Sequence, residues 1–200
     1  SVSLREGMGG EFVQRYLITS PEYHCKRLLS RGLERIYRLG KSFRSGERGP
    51  WHNPEFTMLE WYRTGATYRQ IAEDTVALIA ACSPRPMPPA QWLTFSELFA
   101  GLLDPLAPAA EIYEKAENAG FSRLEGESAA DVLMRIWVQE IEPQLPQRGV
   151  VVVHRYPGCL ASLAALDPDD PRVAQRAEVY VDGVELANGF TELVDAGEQR

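Results

Sequence analysis

The chain contains no run of roughly 18 apolar residues, so no stretch of it is expected to cross a bilayer as a helix. It has only three cysteines, Cys25, Cys82 and Cys159. Their spacing matches no paired metal motif, and they read as reduced thiols of a cytoplasmic protein. A charged-then-apolar secretory leader is missing. So are the Gly-rich signatures G-x-x-x-x-G-K and G-x-G-x-x-G, and any nucleotide must therefore be held in another way. Positive charge is in deficit, with a formal net charge of -7. That balance argues against a general electrostatic grip on nucleic acid, which needs Lys and Arg to displace counterions from phosphates. No Ser-His-Asp or Cys-His arrangement follows from the spacing, and no internal repeat is evident. The sequence opens on Ser1 without a Met and closes on Arg200 in a polar stretch, so both ends read as cut or processed.

What remains is an ordinary globular composition: 200 residues, 44% apolar and 24% charged. That length buries a substantial core without disulfides or metals. Basic residues crowd early, from Lys26 and Arg27 through Arg31, Arg35, Arg38 and Lys41 to Arg44 and Arg48, while acids are heavier toward the end.

The stretch 1–11 is polar and Gly-rich and reads as a loop, followed by a short strand over 12–18. Ser20-Pro21-Glu22 reads as a helix start, with Ser20 as cap and Glu22 complementing the helix dipole. That helix is expected to run to Ser30. Strands over 34–43 and 56–62 form an antiparallel hairpin with a long connecting loop over 45–53, a kind of loop that is more often functional than a tight turn. Apolar spacing predicts helices over 67–82, 94–103, 108–119 and 129–141, with a four-proline linker at 83–90. Val150 to His154 reads as a buried strand. Asp182-Gly183 marks a hairpin turn between strands over 176–182 and 184–187. The pattern of sheet hairpin (about 34–63), helical insertion (about 67–142) and terminal strands (about 150–193) predicts an α+β fold with an antiparallel sheet.

Two constellations carry chemistry. In S-F-R-S-G-E-R-G-P-W-H-N-P-E-F-T-M-L-E-W-Y, Arg44 at a strand end suits bidentate phosphate binding. His52 and Asn53 add donors, and Phe56 offers a flat face for a base. Glu60 and Tyr62, two apart on the returning strand, share a side and suit an ammonium group. Alternatively the hairpin carries only surface ion pairs, which are worth little energetically. In the second constellation Glu178, Glu185 and Glu192 recur at seven-residue intervals. Glu178 and Glu185 can converge across a hairpin, a natural place for Mg²⁺ beside phosphate; otherwise they are solvent-facing acids on an edge hairpin. His24 and His154 read as structural, and Trp92 and Trp137 as core.

Together these motifs resemble the class II aminoacyl-tRNA synthetases in their lysyl form. The hairpin is similar to motif 2 of that family, T-S-P-E-Y-H-C-K-R-L-L to the segment upstream, and E-L-A-N-G-F-T-E-L to a segment downstream. S-P-E-Y-H-C-K-R-L-L, E-W-Y-R and Y-P-G-C-L-A-S-L-A resemble the branch of elongation factor P–lysine ligases. The resemblance implies the class II catalytic core with a helical insertion, incomplete at both ends, and a homodimeric, cytoplasmic full-length protein. It implies ATP-dependent activation of lysine or β-lysine as an adenylate and transfer to a lysine of elongation factor P. Charging of tRNA, as by a lysyl-tRNA synthetase, is the alternative.

By the same resemblance, Arg44 is the catalytic residue, holding the α-phosphate of ATP and the carboxylate of the amino acid. His52 and Asn53 contact ATP, Phe56 stacks on adenine, and Glu185 with the backbone of Leu186 completes the ATP contacts. Glu178 and Glu185 hold Mg²⁺. Ser20, Pro21, Glu22, Glu60, Tyr62, Asn188 and Phe190 line the amino-acid pocket, and Glu192 meets the ε-ammonium. Gly46 departs from the family, which has a Glu there; either Glu47 substitutes for it or ATP binding is weakened. Motifs 1 and 3 of the family are expected outside this stretch, and the 200 residues by themselves are expected to be inactive.

Overall fold

A computed structural model describes residues 2–5 and 12–199. Contacts divide the chain into two compact units, Ser1–Gly65 and Ala66–Arg200.

In the first unit, strand β1 (Val2–Arg5) pairs antiparallel with β2 (Phe12–Arg15). Part of the stretch predicted as a loop is therefore a strand, because a pairing partner satisfies backbone groups that local composition says nothing about. Residues 6–11 of that predicted loop lie outside the described residues. Helix α1 spans Glu22–Leu29, with Pro21 rather than Ser20 at its N-cap position. Ser20 still serves the helix start, since the Glu22 N–H donates to its Oγ at 3.0 Å. Strands β3 (Arg35–Phe43) and β4 (Glu55–Arg63) form the predicted hairpin, in register from Arg35↔Arg63 to Phe43↔Glu55. Alternation puts Arg38, Gly40 and Ser42 of β3 on one face with Phe56, Met58, Glu60 and Tyr62 of β4. Beyond the strands, the Arg44 N–H donates to the Pro54 carbonyl at 2.9 Å, which extends the ladder into the loop.

The second unit is built on a four-stranded sheet ordered β5 (Gln91–Thr94), β6 (Val150–Pro157), β7 (Val173–Val181) and β8 (Val184–Phe190). Three of its strands are antiparallel, as the turn signals predicted. The fourth, β5, pairs parallel to β6 and lies where only a linker and a helix were expected. Four residues carry too little periodicity to be seen in sequence, and β5 exists because β6 offers it an edge. Helix α2 (Tyr68–Cys82) starts at a Thr67/Gln70 capping box and packs on one sheet face against Val152, Ala177, Val179 and Ala187. The opposite face is covered by α3 (Phe95–Leu98), α4 (Ala109–Asn118) and α5 (Ala129–Ile136), which enclose a core including Phe95, Phe99, Leu133 and Trp137. Only the first turn of the helix predicted over 94–103 forms; the chain continues in turns over 99–102. β6, buried on both faces, is correspondingly apolar over Val150–Val153. Among the described residues no helix is long and apolar enough to cross a membrane.

Two bulges decide which side chains share a face. In β6 the register shifts between His154 and Tyr156, around Arg155 at φ 57°. There the single residue Arg155 stands opposite two residues of β7, Gln175 and Arg176, and its left-handed backbone turns Tyr156 away from the α2 face into the main core. In β8, Leu186 is the extra residue between the pairs Tyr180↔Glu185 and Val179↔Ala187. It puts Glu185, Asn188 and Phe190 on one face, with Arg176, Glu178 and Tyr180 of β7. The turn between β7 and β8 is Asp182-Gly183, both left-handed (φ 50° and 83°), as a tight hairpin requires.

Candidate functional site

The hairpin unit assembles an acidic centre around Glu60. Its two carboxylate oxygens accept from Ser20 Oγ at 2.8 Å and from the Tyr62 hydroxyl at 2.6 Å. Ser20 is held in turn by the start of α1, and Pro21 is buried beside it. Of the residues predicted to line an amino-acid pocket, Ser20, Glu60 and Tyr62 are thus brought into direct contact. Glu22 takes a different local partner, Lys26 one turn on, at 2.7 Å.

No cation lies within ion-pair distance of Glu60 among the described residues. Arg38 is its directly opposed cross-strand partner but folds along its own strand over Gly40, where a Cβ would meet the guanidinium at 3.0 Å. Arg38 Nη2 donates to the Lys41 carbonyl at 3.2 Å, and Nη1 is buried with no partner. Arg38 was not singled out in the sequence; its position opposite Glu60 depends on the register. Cys25 of α1 is buried, and its thiol is pushed up by burial and then by the charge of Glu60, with Arg38 opposing.

The nucleotide residues predicted in the same hairpin gather at its loop. The Arg44 guanidinium sits 5.3 Å from the centroid of the Phe56 ring, and its Nη1 is 4.0 Å from Glu47. Gly46 between them has φ 85° and empty space around its missing side chain. A glutamate there would be strained in this backbone, and the turn brings Glu47 to Arg44 instead. His52 and Asn53 are exposed; the backbone groups of His52 and Gly49 exchange hydrogen bonds at 3.2 and 3.4 Å and close the loop.

The sheet unit places the downstream residues on the β7–β8 face. Glu178 is 7% exposed and accepts from three donors: Tyr156 at 2.6 Å, Tyr180 at 2.5 Å and Arg176 Nη2 at 2.6 Å. Burial and the Glu178 charge push the Tyr156 and Tyr180 hydroxyls far up, so both remain donors. Glu185 is exposed, on the same face, diagonally across from Glu178. Leu186, whose backbone was predicted to touch ATP, is the bulge residue and is exposed. Asn188 opposes Glu178, and Phe190 packs on the main core. Glu192 lies past β8 and bridges Ala164.

Mg²⁺ binds one or two carboxylates and takes its other ligands from phosphate and water. Glu178 and Glu185 fit that pattern: they share a face, and three donors leave one of about four acceptor positions on Glu178 open. Among the described residues no cluster of three His, Cys, Asp or Glu exists that would form an all-protein cage. Sequence reasoning missed Arg176, Tyr156 and Tyr180. The two-residue spacing of Arg176, Glu178 and Tyr180 was a legible signal, whereas Tyr156 reaches Glu178 only through the Arg155 bulge.

The family described as tRNA synthetases class II (D, K and N) matches residues 2–200. The chain is similar to elongation factor P–(R)-β-lysine ligases: 44% identical over 94% of its length to that of Erwinia tasmaniensis, 41% over 92% to that of Haemophilus influenzae, and 43% over 92% to that of Klebsiella pneumoniae subsp. pneumoniae. It spans 59%, 58% and 58% of the length of these relatives.

Proposed function

This chain belongs to the class II tRNA synthetase family (D, K and N), and from that premise we propose that it carries the substrate-binding core of an ATP-dependent aminoacyl ligase. The ligase activates lysine or β-lysine as an adenylate and transfers it to a lysine side chain of elongation factor P. The observation that carries this reading is Glu60: a partly buried carboxylate, held by Ser20 and Tyr62, with no cation within ion-pair distance among the described residues. A carboxylate so placed is costly until an ammonium group joins it, which selects an amine-bearing substrate over a neutral one. The names of the relatives support the choice of substrate and of the acceptor protein.

In this reading the carboxylate of the amino acid attacks the α-phosphorus of ATP, and pyrophosphate leaves. Two anions must meet, so Arg44 supplies positive charge where negative charge develops. No general base is needed, since the attacking carboxylate is already ionised. Phe56, beside Arg44, stacks on adenine, and His52 and Asn53 donate to ATP. Glu47, brought to Arg44 by the turn at Gly46, takes the part of the glutamate that the family carries one residue earlier. By the family resemblance Glu185 and the Leu186 backbone would contact ATP, and Glu178 and Glu185 would hold Mg²⁺, which when bound neutralises phosphate charge. By the same resemblance, Glu22 in the hairpin unit and Asn188, Phe190 and Glu192 in the sheet unit are further candidates to contact the amino acid. The acceptor amine of elongation factor P must arrive deprotonated.

The test uses the full-length protein that contains this chain. Lysine- or β-lysine-dependent pyrophosphate exchange and incorporation of the amino acid into elongation factor P are expected. Glu60→Gln is expected to raise the KM for the amino acid roughly 10- to 150-fold, the loss of a charged hydrogen bond, with ATP affinity unchanged. Charging of tRNA in place of elongation factor P would transfer the chain to the alternative acceptor. Absence of amino-acid-dependent exchange would end the ligase reading.

A further inference from the structure

Arg176 belongs to none of the motifs that carry the resemblance, yet its guanidinium reaches three separate elements. Nη2 donates to Glu178 at 2.6 Å, Nε to Asn188 Oδ1 at 3.2 Å, and Nη1 to the Leu160 carbonyl at 2.7 Å. The group also lies 4.7 Å from the centroid of the Tyr156 ring. One planar fork thus ties β7 to β8 and to the loop after β6.

Each contact has a consequence for recognition. A guanidinium has donors only, so Asn188 must turn its oxygen toward Arg176. Its NH₂ group is then the end left to face a ligand, and it can donate to an anionic or carbonyl oxygen but cannot accept from an ammonium. The Leu160 contact fixes the middle of the Y-P-G-C-L-A-S-L-A stretch, whose residues after Tyr156 have no role so far. The far end of that stretch runs along the segment containing Glu192: Ala164 bridges Glu192, the Ala165 N–H donates to the Thr191 carbonyl at 2.8 Å, and the Leu193 N–H to the Leu163 carbonyl at 2.9 Å. Between the two anchors Ser162 is held at φ 54°, a conformation that a non-glycine residue keeps only when its surroundings impose it.

We infer that Arg176 is a positioning residue for amino-acid recognition, setting the donor end of Asn188 toward the substrate and holding the Leu160–Ala164 loop beside Glu192. The inference rests on the ligase reading for the identity of the substrate; the orientation of Asn188 does not. If Arg176 were only the counter-ion of Glu178, a lysine would serve in its place, because it keeps that charge. A lysine lacks the fork that reaches Asn188 and Leu160 as well.

The experiment is a double-mutant cycle in the full-length protein, read as the KM for lysine or β-lysine in pyrophosphate exchange. Arg176→Lys is expected to raise that KM roughly tenfold, and by a smaller factor in an Asn188→Ala background. No rise, or an equal or larger factor in that background, would overturn the inference. A substrate-free measurement covers the case in which the ligase reading itself fails. Asn188→Asp keeps an acceptor facing Arg176 and is expected to hold or raise the unfolding midpoint, while Asn188→Leu lowers it. A fall with Asn188→Asp as large as with Asn188→Leu would show that the oxygen of Asn188 does not face Arg176.

Discussion

Glu60 in the hairpin unit and Glu178 in the sheet unit each accept two hydroxyl hydrogen bonds, yet only Glu178 also binds a guanidinium. Glu178 is 7% exposed, while Glu60 remains partly open. The difference separates two uses of a carboxylate. Glu178 is neutralised within the fold and stabilises it, so any ligand role is added to a structural one. Glu60 has no cation within ion-pair distance among the described residues, and the proposed function gives that place to the ammonium group of the substrate. Arg44 resembles Glu60 in this respect: its side chain is 41% exposed, and the acid paired with it, Glu47, is 4.0 Å away.

The sharpest way to break this contrast is Glu178→Leu, which strips Arg176 of its partner and leaves two buried phenols without an acceptor. Breaking a buried ion pair costs about 3–5 kcal/mol, and urea unfolding of the full-length protein should show a loss of that size. A loss under about 1 kcal/mol, the range of surface pairs, would mean that Glu178 is no more structural than Glu60. Arg44→Ala sharpens the contrast from the other side. Adenylate formation should fall about 10²- to 10³-fold, the cost of removing one charge-stabilising donor, while stability changes by no more than about 0.5 kcal/mol. Paired measurement of exchange rate and unfolding midpoint checks both.

A third prediction concerns pH and belongs to the α2 face of the sheet unit. His154 is buried against Tyr68 and Trp92, and its pKa falls from 6.5 to about 4. Burial is the first cause, with the charges of Arg69 and Arg155 adding to it and Glu97 opposing. Between those two values the unfolded chain binds the proton and the native chain does not. Stability therefore falls as pH drops through that window, by up to about 3 kcal/mol, and this group adds nothing further below it. Glu142, whose pKa burial raises, acts with the opposite sign. Glu97, Glu127, Asp131 and Asp170 have lowered pKa values and lose their contributions at more acidic pH. His154→Phe should flatten the limb between about pH 6.5 and 4 and leave the more acidic limb in place. An unchanged limb in denaturant titrations would show that His154 is not the group that titrates.

Much of the architecture was legible because it is locally encoded. The alternation along β3 and β4, the helical spacing of α2 and the Asp182-Gly183 turn each state their structure within a few residues. The pairing of Glu60 with Tyr62 followed from strand period alone, and the family followed from three ordered motifs. Other features depend on partners distant in sequence. β1 and β5 are strands because β2 and β6 lie beside them, and the predicted helix over 94–103 stops after one turn where the chain leaves the sheet.

The amino-acid sequence by itself determined the fold class, the hairpin with its acid-and-hydroxyl face, and the residue types available for an ammonium and a phosphate. Tertiary structure alone decided which of those groups are already satisfied. The reason is geometric: a one-residue shift of register between paired strands reverses which face the side chains beyond it share. The Arg155 bulge turns Tyr156 toward Glu178, and the Leu186 bulge brings Glu185 onto the face of Asn188 and Phe190. Neither displacement has a signature within its own segment, because each is set by the strand it pairs with.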